Sequence, residues 1–143
     1  MIGDILFYKN KGTLPDNLID FWEGSRNDFV HVAIQVSDTQ KIEALYNGVT
    51  ISDVNNSLVD AHYTLPDGLD LERGIRWLFT QVGKPYGYGD ILDAVLNHPV
   101  IECHYDCSAL ATKFLIVCGV TYVSASQIHM MTPQGLAEML GVK

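Results

Sequence analysis

The dipeptide Asn47-Gly48 stands between two runs of strand length, Lys41 to Tyr46 and Val49 to Val54. Asn-Gly supplies the positive φ angles of a tight two-residue turn, so the two runs are expected to pair as an antiparallel hairpin. A purely parallel sheet is thereby excluded. Three further strands fit the same sheet. Ile5-Leu6-Phe7-Tyr8 follows a Gly3-Asp4 turn signal, Phe29 to Val36 is rich in β-branched residues, and a short strand is expected near Val59 to Thr64.

The remainder has helical periodicity. From Asp70 to Val82 the apolar residues Leu71, Ile75, Leu78, Phe79 and Val82 recur at helical spacing, with Gly83 placed to end the helix. A longer helix is expected from Cys107 to Cys118, stopped by Gly119, and a last one from Pro133 to Leu140 with Thr132 as N-cap. Shorter helices are expected over Leu14 to Glu23 and Asp90 to Asn97, and Lys84-Pro85-Tyr86-Gly87-Tyr88-Gly89 reads as a loop. Strands precede most of the helices, which is the order of an α+β domain rather than of alternating βαβ units. At 143 residues, 48% of them apolar, the chain suits one domain spanning 1–143 with a core of its own.

A formal charge of −8 argues against a nucleic-acid partner, because phosphate binding draws on clustered Lys and Arg. No run approaches the roughly 20 apolar residues of a membrane span, and the amino-terminal stretch has no signal-peptide core. A cytosolic protein is expected, reaching the outside by lysis or in a phage particle if at all. Three cysteines, Cys103, Cys107 and Cys118, make an odd set without an export signal, which disfavours a disulfide framework.

Chemistry is concentrated at Tyr105-Asp106-Cys107-Ser108-Ala109-Leu110, where an irregular stretch turns into a helix. The unpaired N–H groups and positive dipole end of a helix start favour thiolate over thiol and can bind an oxyanion. On position alone Cys107 is either such a nucleophile or a small buried hydrophobe. Cys118, late in the same helix, reads as core. His31 interrupts an apolar strand, and a lone histidine of that kind is more often structural than catalytic. Glu43 lies on the next strand among apolar neighbours. Alternation leaves it either facing solvent or beside the imidazole, where a carboxylate fixes the tautomer and stabilises the imidazolium.

Five blocks taken together resemble the NlpC-type papain-like peptidases read in circularly permuted order, as in the YiiX-like branch and, more distantly, the lecithin:retinol acyltransferase group. They are Gly3-Asp4-Ile5-Leu6-Phe7-Tyr8; His31-Val32-Ala33-Ile34; Glu43-Ala44 with Gly48-Val49; Gly83-Lys84-Pro85-Tyr86-Gly87-Tyr88-Gly89; and Asp106-Cys107-Ser108-Ala109-Leu110. In the usual order the last two blocks come first. Ala109 stands where glycine is typical, Glu43 where many unpermuted relatives have His, Asn or Gln, and Tyr86 is farther from the cysteine than usual. The resemblance implies an antiparallel sheet packed against a helix with the nucleophilic cysteine at its start. It further implies Cys107 as nucleophile, His31 as base and later acid, Glu43 as the residue orienting His31, and Tyr86 and Tyr88 near substrate and oxyanion, with no cofactor.

The function implied is a cysteine hydrolase working through an acyl-enzyme, first of all a peptidoglycan-peptide endopeptidase or amidase. A lipid-directed esterase, thioesterase or acyltransferase is the alternative, so the expected partner is a peptide, a peptidoglycan fragment or an acyl substrate. Two non-enzymatic readings compete. His98, Cys103, His104 and Cys107 are four potential zinc ligands within a short span, though their spacing matches no standard zinc module. A silent binding module on the same fold is the other. Trp22 and His62 are further candidates for lining a substrate pocket.

Overall fold

The computed structural model describes residues 1–9, 28–45, 48–84 and 106–143. The helices expected over 14–23 and 90–97, Trp22, Asn47, Tyr86, Tyr88, His98, Cys103 and His104 lie outside the described residues. The elements in chain order are β1 (Ile5–Lys9), β2 (Phe29–Gln35), β3 (Gln40–Leu45), β4 (Gly48–Asp53), β5 (Ala61–Tyr63), α1 (Leu71–Gln81), α2 (Asp106–Cys118), a 3-10 segment (Ala125–Met130) and α3 (Pro133–Met139). The class is α+β.

The strands form one five-stranded sheet in the order β4-β3-β2-β1-β5 with every neighbouring pair antiparallel. The expected hairpin is present as β3 and β4. Gly48, expected inside its turn, is instead the first residue of β4, paired with Leu45, and takes a positive φ of 119°. The strand expected near Val59 to Thr64 shortens to Ala61–Tyr63 on the sheet edge.

Alternation sorts the sheet into two faces. Ile5, Phe7, Val32, Ile34, Ile42, Ala44 and Val49 join the main core, whereas Leu6, Tyr8 and Ala33 form a smaller cluster. The main core is shared with α2, whose Leu110, Ala111, Phe114 and Leu115 are fully buried. A helix apolar nearly all round belongs in an interior. Its two buried hydroxyls both donate to carbonyls: Thr112 to Ser108 within the helix at 2.7 Å, and Ser108 to Met131 just before α3.

Helix α1 braces α2 from outside. Asp70 caps it by accepting from the Arg73 N–H, and Gly83 at φ 85° ends it. Arg73 donates to the Val117 carbonyl at 2.7 Å, and Gly74 faces Cys118 and Phe114 so closely that a methyl group there would collide with both. Phe79, expected on the buried stripe of α1, is 47% exposed, because contact with α2 uses the narrower stripe through Gly74 and Leu78. Thr132 caps α3 by accepting from the Gly135 N–H, with Pro133 at the first helical position as expected. The 3-10 segment, opened by a Ser124–Gln127 capping box, had no counterpart in the periodicity. Among the described residues no helix is long and apolar enough to cross a membrane.

Candidate active site

The path to the site begins with a defect in the sheet. Tyr8 pairs with His31, but the next pair along is Lys9 with Phe29, so β2 spends one extra residue, Val30, against a single step of β1. The strand's parity changes across this bulge: Phe29 and Val32, an odd number of residues apart, both enter the main core. Bulges turn the strand locally and re-aim the side chains beside them. Phe29 is the residue so re-aimed, and His31, on the other side of the extra residue, keeps its pairing with Tyr8. Regular pairing of β2 with β3 is confined to Ile34–Ile42 and Gln35–Lys41, so His31 and Glu43 are not direct cross-strand partners. Their side chains close the gap, with Nε2 of His31 2.6 Å from Oε2 of Glu43.

Cys107, the second residue of α2, meets the imidazole from the helix side and is hydrogen-bonded to it. Since Nε2 is taken by Glu43, Nδ1 is the nitrogen left for the sulfur. Cys107 therefore combines an imidazole partner with a place in the first turn of a helix. All three side chains are inside the protein: His31 is 3%, Glu43 5% and Cys107 5% exposed. Neither Cys107 nor Cys118 is in a disulfide.

Burial by itself would push His31 toward the neutral form. The hydrogen bonds to Cys107 and Glu43, with the charges of both, outweigh it and hold the imidazole up at about 9. Burial would likewise raise Glu43, but His31, the Lys41 charge and the Ser52 hydroxyl hold the carboxyl down at about 2. One Glu43 oxygen accepts from Lys41 Nζ at 2.9 Å as well as from His31, and the other accepts from Ser52 at 2.5 Å. Lys41 Nζ also lies 4.6 Å from the centre of the Tyr8 ring, which stands 5.6 Å from the imidazole.

The structure brings together Cys107, His31 and Glu43 from α2, β2 and β3. Tyr86 and Tyr88 lie outside the described residues, as do three of the four candidate zinc ligands. Cys118 is core, with its thiol pushed up to about 11 by burial and by Asp70. His62 is exposed on edge strand β5, two strands from His31. The sequence reading missed Lys41, Ser52 and Tyr8. A signal for the first was present, since Lys41 and Glu43 are two apart on a strand and so share a face. Ser52 follows from it, being the cross-strand partner of Lys41.

Such an arrangement can move a proton between sulfur and imidazole while a fixed carboxylate holds the ring. Among the described residues no group of three or more His, Cys, Asp or Glu side chains is placed to hold a metal ion. No protein-family model, curated protein or solved structure gives a significant match to this chain.

Proposed function

We propose that this chain is a cysteine hydrolase that cleaves an amide bond through an acyl-enzyme on Cys107, with the permuted papain-like arrangement that the five sequence blocks resemble. One observation carries the reading: His31 is bonded on one side to Cys107 and on the other to a carboxylate already fixed by Lys41 and Ser52. A core histidine needs no such chain of partners. The Cys107 thiolate, paired with the His31 imidazolium, attacks a carbonyl; the S–C bond forms and the oxyanion is received by N–H groups at the start of α2. The leaving amine departs with the proton of His31. Water then attacks the thioester, gives a proton to His31, and releases the acid with return of the thiolate.

A peptide of the peptidoglycan type is the proposed substrate class, on the strength of the sequence resemblance. Incubation of the protein with muropeptides, N-acyl amino acids and acyl esters, followed by intact mass spectrometry, tests both parts. A covalent acyl adduct is expected on Cys107 and none on Cys107→Ala. Preference for esters over muropeptides moves the substrate to lipids. If Cys107 is alkylated by iodoacetamide at pH 6 no faster than a small-molecule thiol, the catalytic reading fails.

A further inference from the structure

Lys41 is a buried charge to which the three-residue relay gives no task. It is only 9% exposed, and its Nζ reaches the same Glu43 oxygen that holds His31. Among the described residues, the titratable groups that touch His31 are Tyr8 from β1, Glu43 from β3 and Cys107 from α2, with Lys41 behind Glu43. A buried carboxylate without a counter-charge either takes a proton or forces one onto a neighbour.

Charge balance through the proposed cycle shows where Lys41 is needed. In the ion-pair form that attacks, the thiolate and the imidazolium cancel, and Glu43 and Lys41 cancel. Acylation removes the first pair together, since the sulfur becomes a neutral thioester and the leaving group carries away the His31 proton. Glu43 is then left facing a neutral imidazole. Among the described residues bonded to it, Lys41 is the cation that stays. Without that cation the carboxylate would hold His31 protonated, and a protonated imidazole cannot accept a proton from the attacking water.

We propose that Lys41 is the standing counter-ion of Glu43, the positioning residue that frees His31 to act as a neutral base in the hydrolytic half of the reaction. This rests on the hydrolase reading. Tyr8 supports the arrangement by offering its ring face to the ammonium at 4.6 Å, a contact that favours a cation and would not favour a neutral chain in the same way.

The test pairs a measurement that needs no substrate with one that does. In the resting protein, NMR titration of the His31 ring in Lys41→Met and Lys41→Gln is expected to move its midpoint up by on the order of 1 unit, with Lys41→Arg close to wild type. With an activated acyl ester, both neutral variants should keep the acylation burst, while steady-state turnover falls about tenfold and its acidic limb moves to higher pH by the same shift. An unmoved midpoint overturns the proposal, as does a moved midpoint with an unmoved acidic limb. If the midpoint moves but no acyl ester or amide acylates wild-type protein, the hydrolase reading falls and the counter-ion role alone stands. Should both neutral variants fail to fold, Lys41 is a structural ion and the proposal is wrong.

Discussion

His31 is useful to Cys107 because Glu43 is an anion as well as a hydrogen-bond acceptor. Glu43→Gln separates the two properties. The amide keeps the size and one acceptor oxygen but loses the charge that helps hold His31 at about 9. The His31 midpoint should fall toward 6.5, its ordinary value, because the imidazolium loses its carboxylate while burial still opposes it. Turnover of whatever acyl substrate labels Cys107 should drop on the order of 10²- to 10⁴-fold, the usual contribution of a positioned acid–base group. NMR titration and steady-state kinetics on the same preparation check the two outcomes together. A variant with normal turnover would remove Glu43 from the mechanism.

A strap between elements keeps this residue geometry in place. Ser108, next to Cys107, donates to the Met131 carbonyl, and Thr132 caps α3. Gln134 in the first turn of α3 accepts from the Phe29 N–H at 3.0 Å, at the very start of β2 and beside the bulge. The start of the cysteine helix and the histidine strand are thus tied to one short helix. Ser108→Ala leaves a buried carbonyl without its donor and should cost about 1–3 kcal/mol in urea unfolding, with slower alkylation of Cys107 as α2 loosens. Gly74→Ala acts elsewhere. Alanine gains helix propensity, about 1 kcal/mol, yet its methyl meets Cys118 and Phe114, so α1 must move off α2. A net loss of about 1–2 kcal/mol is expected, because overpacking costs more than propensity returns.

At the scale of the whole molecule, the sequence made the class readable because its signals are local: turn chemistry for β3 and β4, helical spacing with caps for α1, α2 and α3. The pairing order of the sheet and the bulge at Val30 depend on contacts between distant segments, which no local pattern records. Cys107, His31 and Glu43 were singled out as residues, and Lys41 was signalled by sharing a face with Glu43, but Ser52 and Tyr8 join them only when β4, β3, β2 and β1 lie side by side. Together they set how stability responds to acid and base. Glu43 is held at about 2 against an ordinary 4.5, so its contribution is present above 4.5 and is lost as pH falls toward 2. His31 is held at about 9 against 6.5, so its contribution is complete below 6.5 and is lost as pH rises through 9. The two overlap fully only between 4.5 and 6.5. With a formal charge of −8, other carboxylates also titrate and repel, so the contribution of the pair must be taken by difference. Urea unfolding of wild type and of the His31→Gln, Glu43→Gln double variant across this range isolates it. The difference in stability should be largest and flat from 4.5 to 6.5 and shrink on both sides. A difference that grew between 6.5 and 9 would mean that His31 binds no extra proton in the folded protein, and the charged imidazolium beside Glu43 would have to be abandoned.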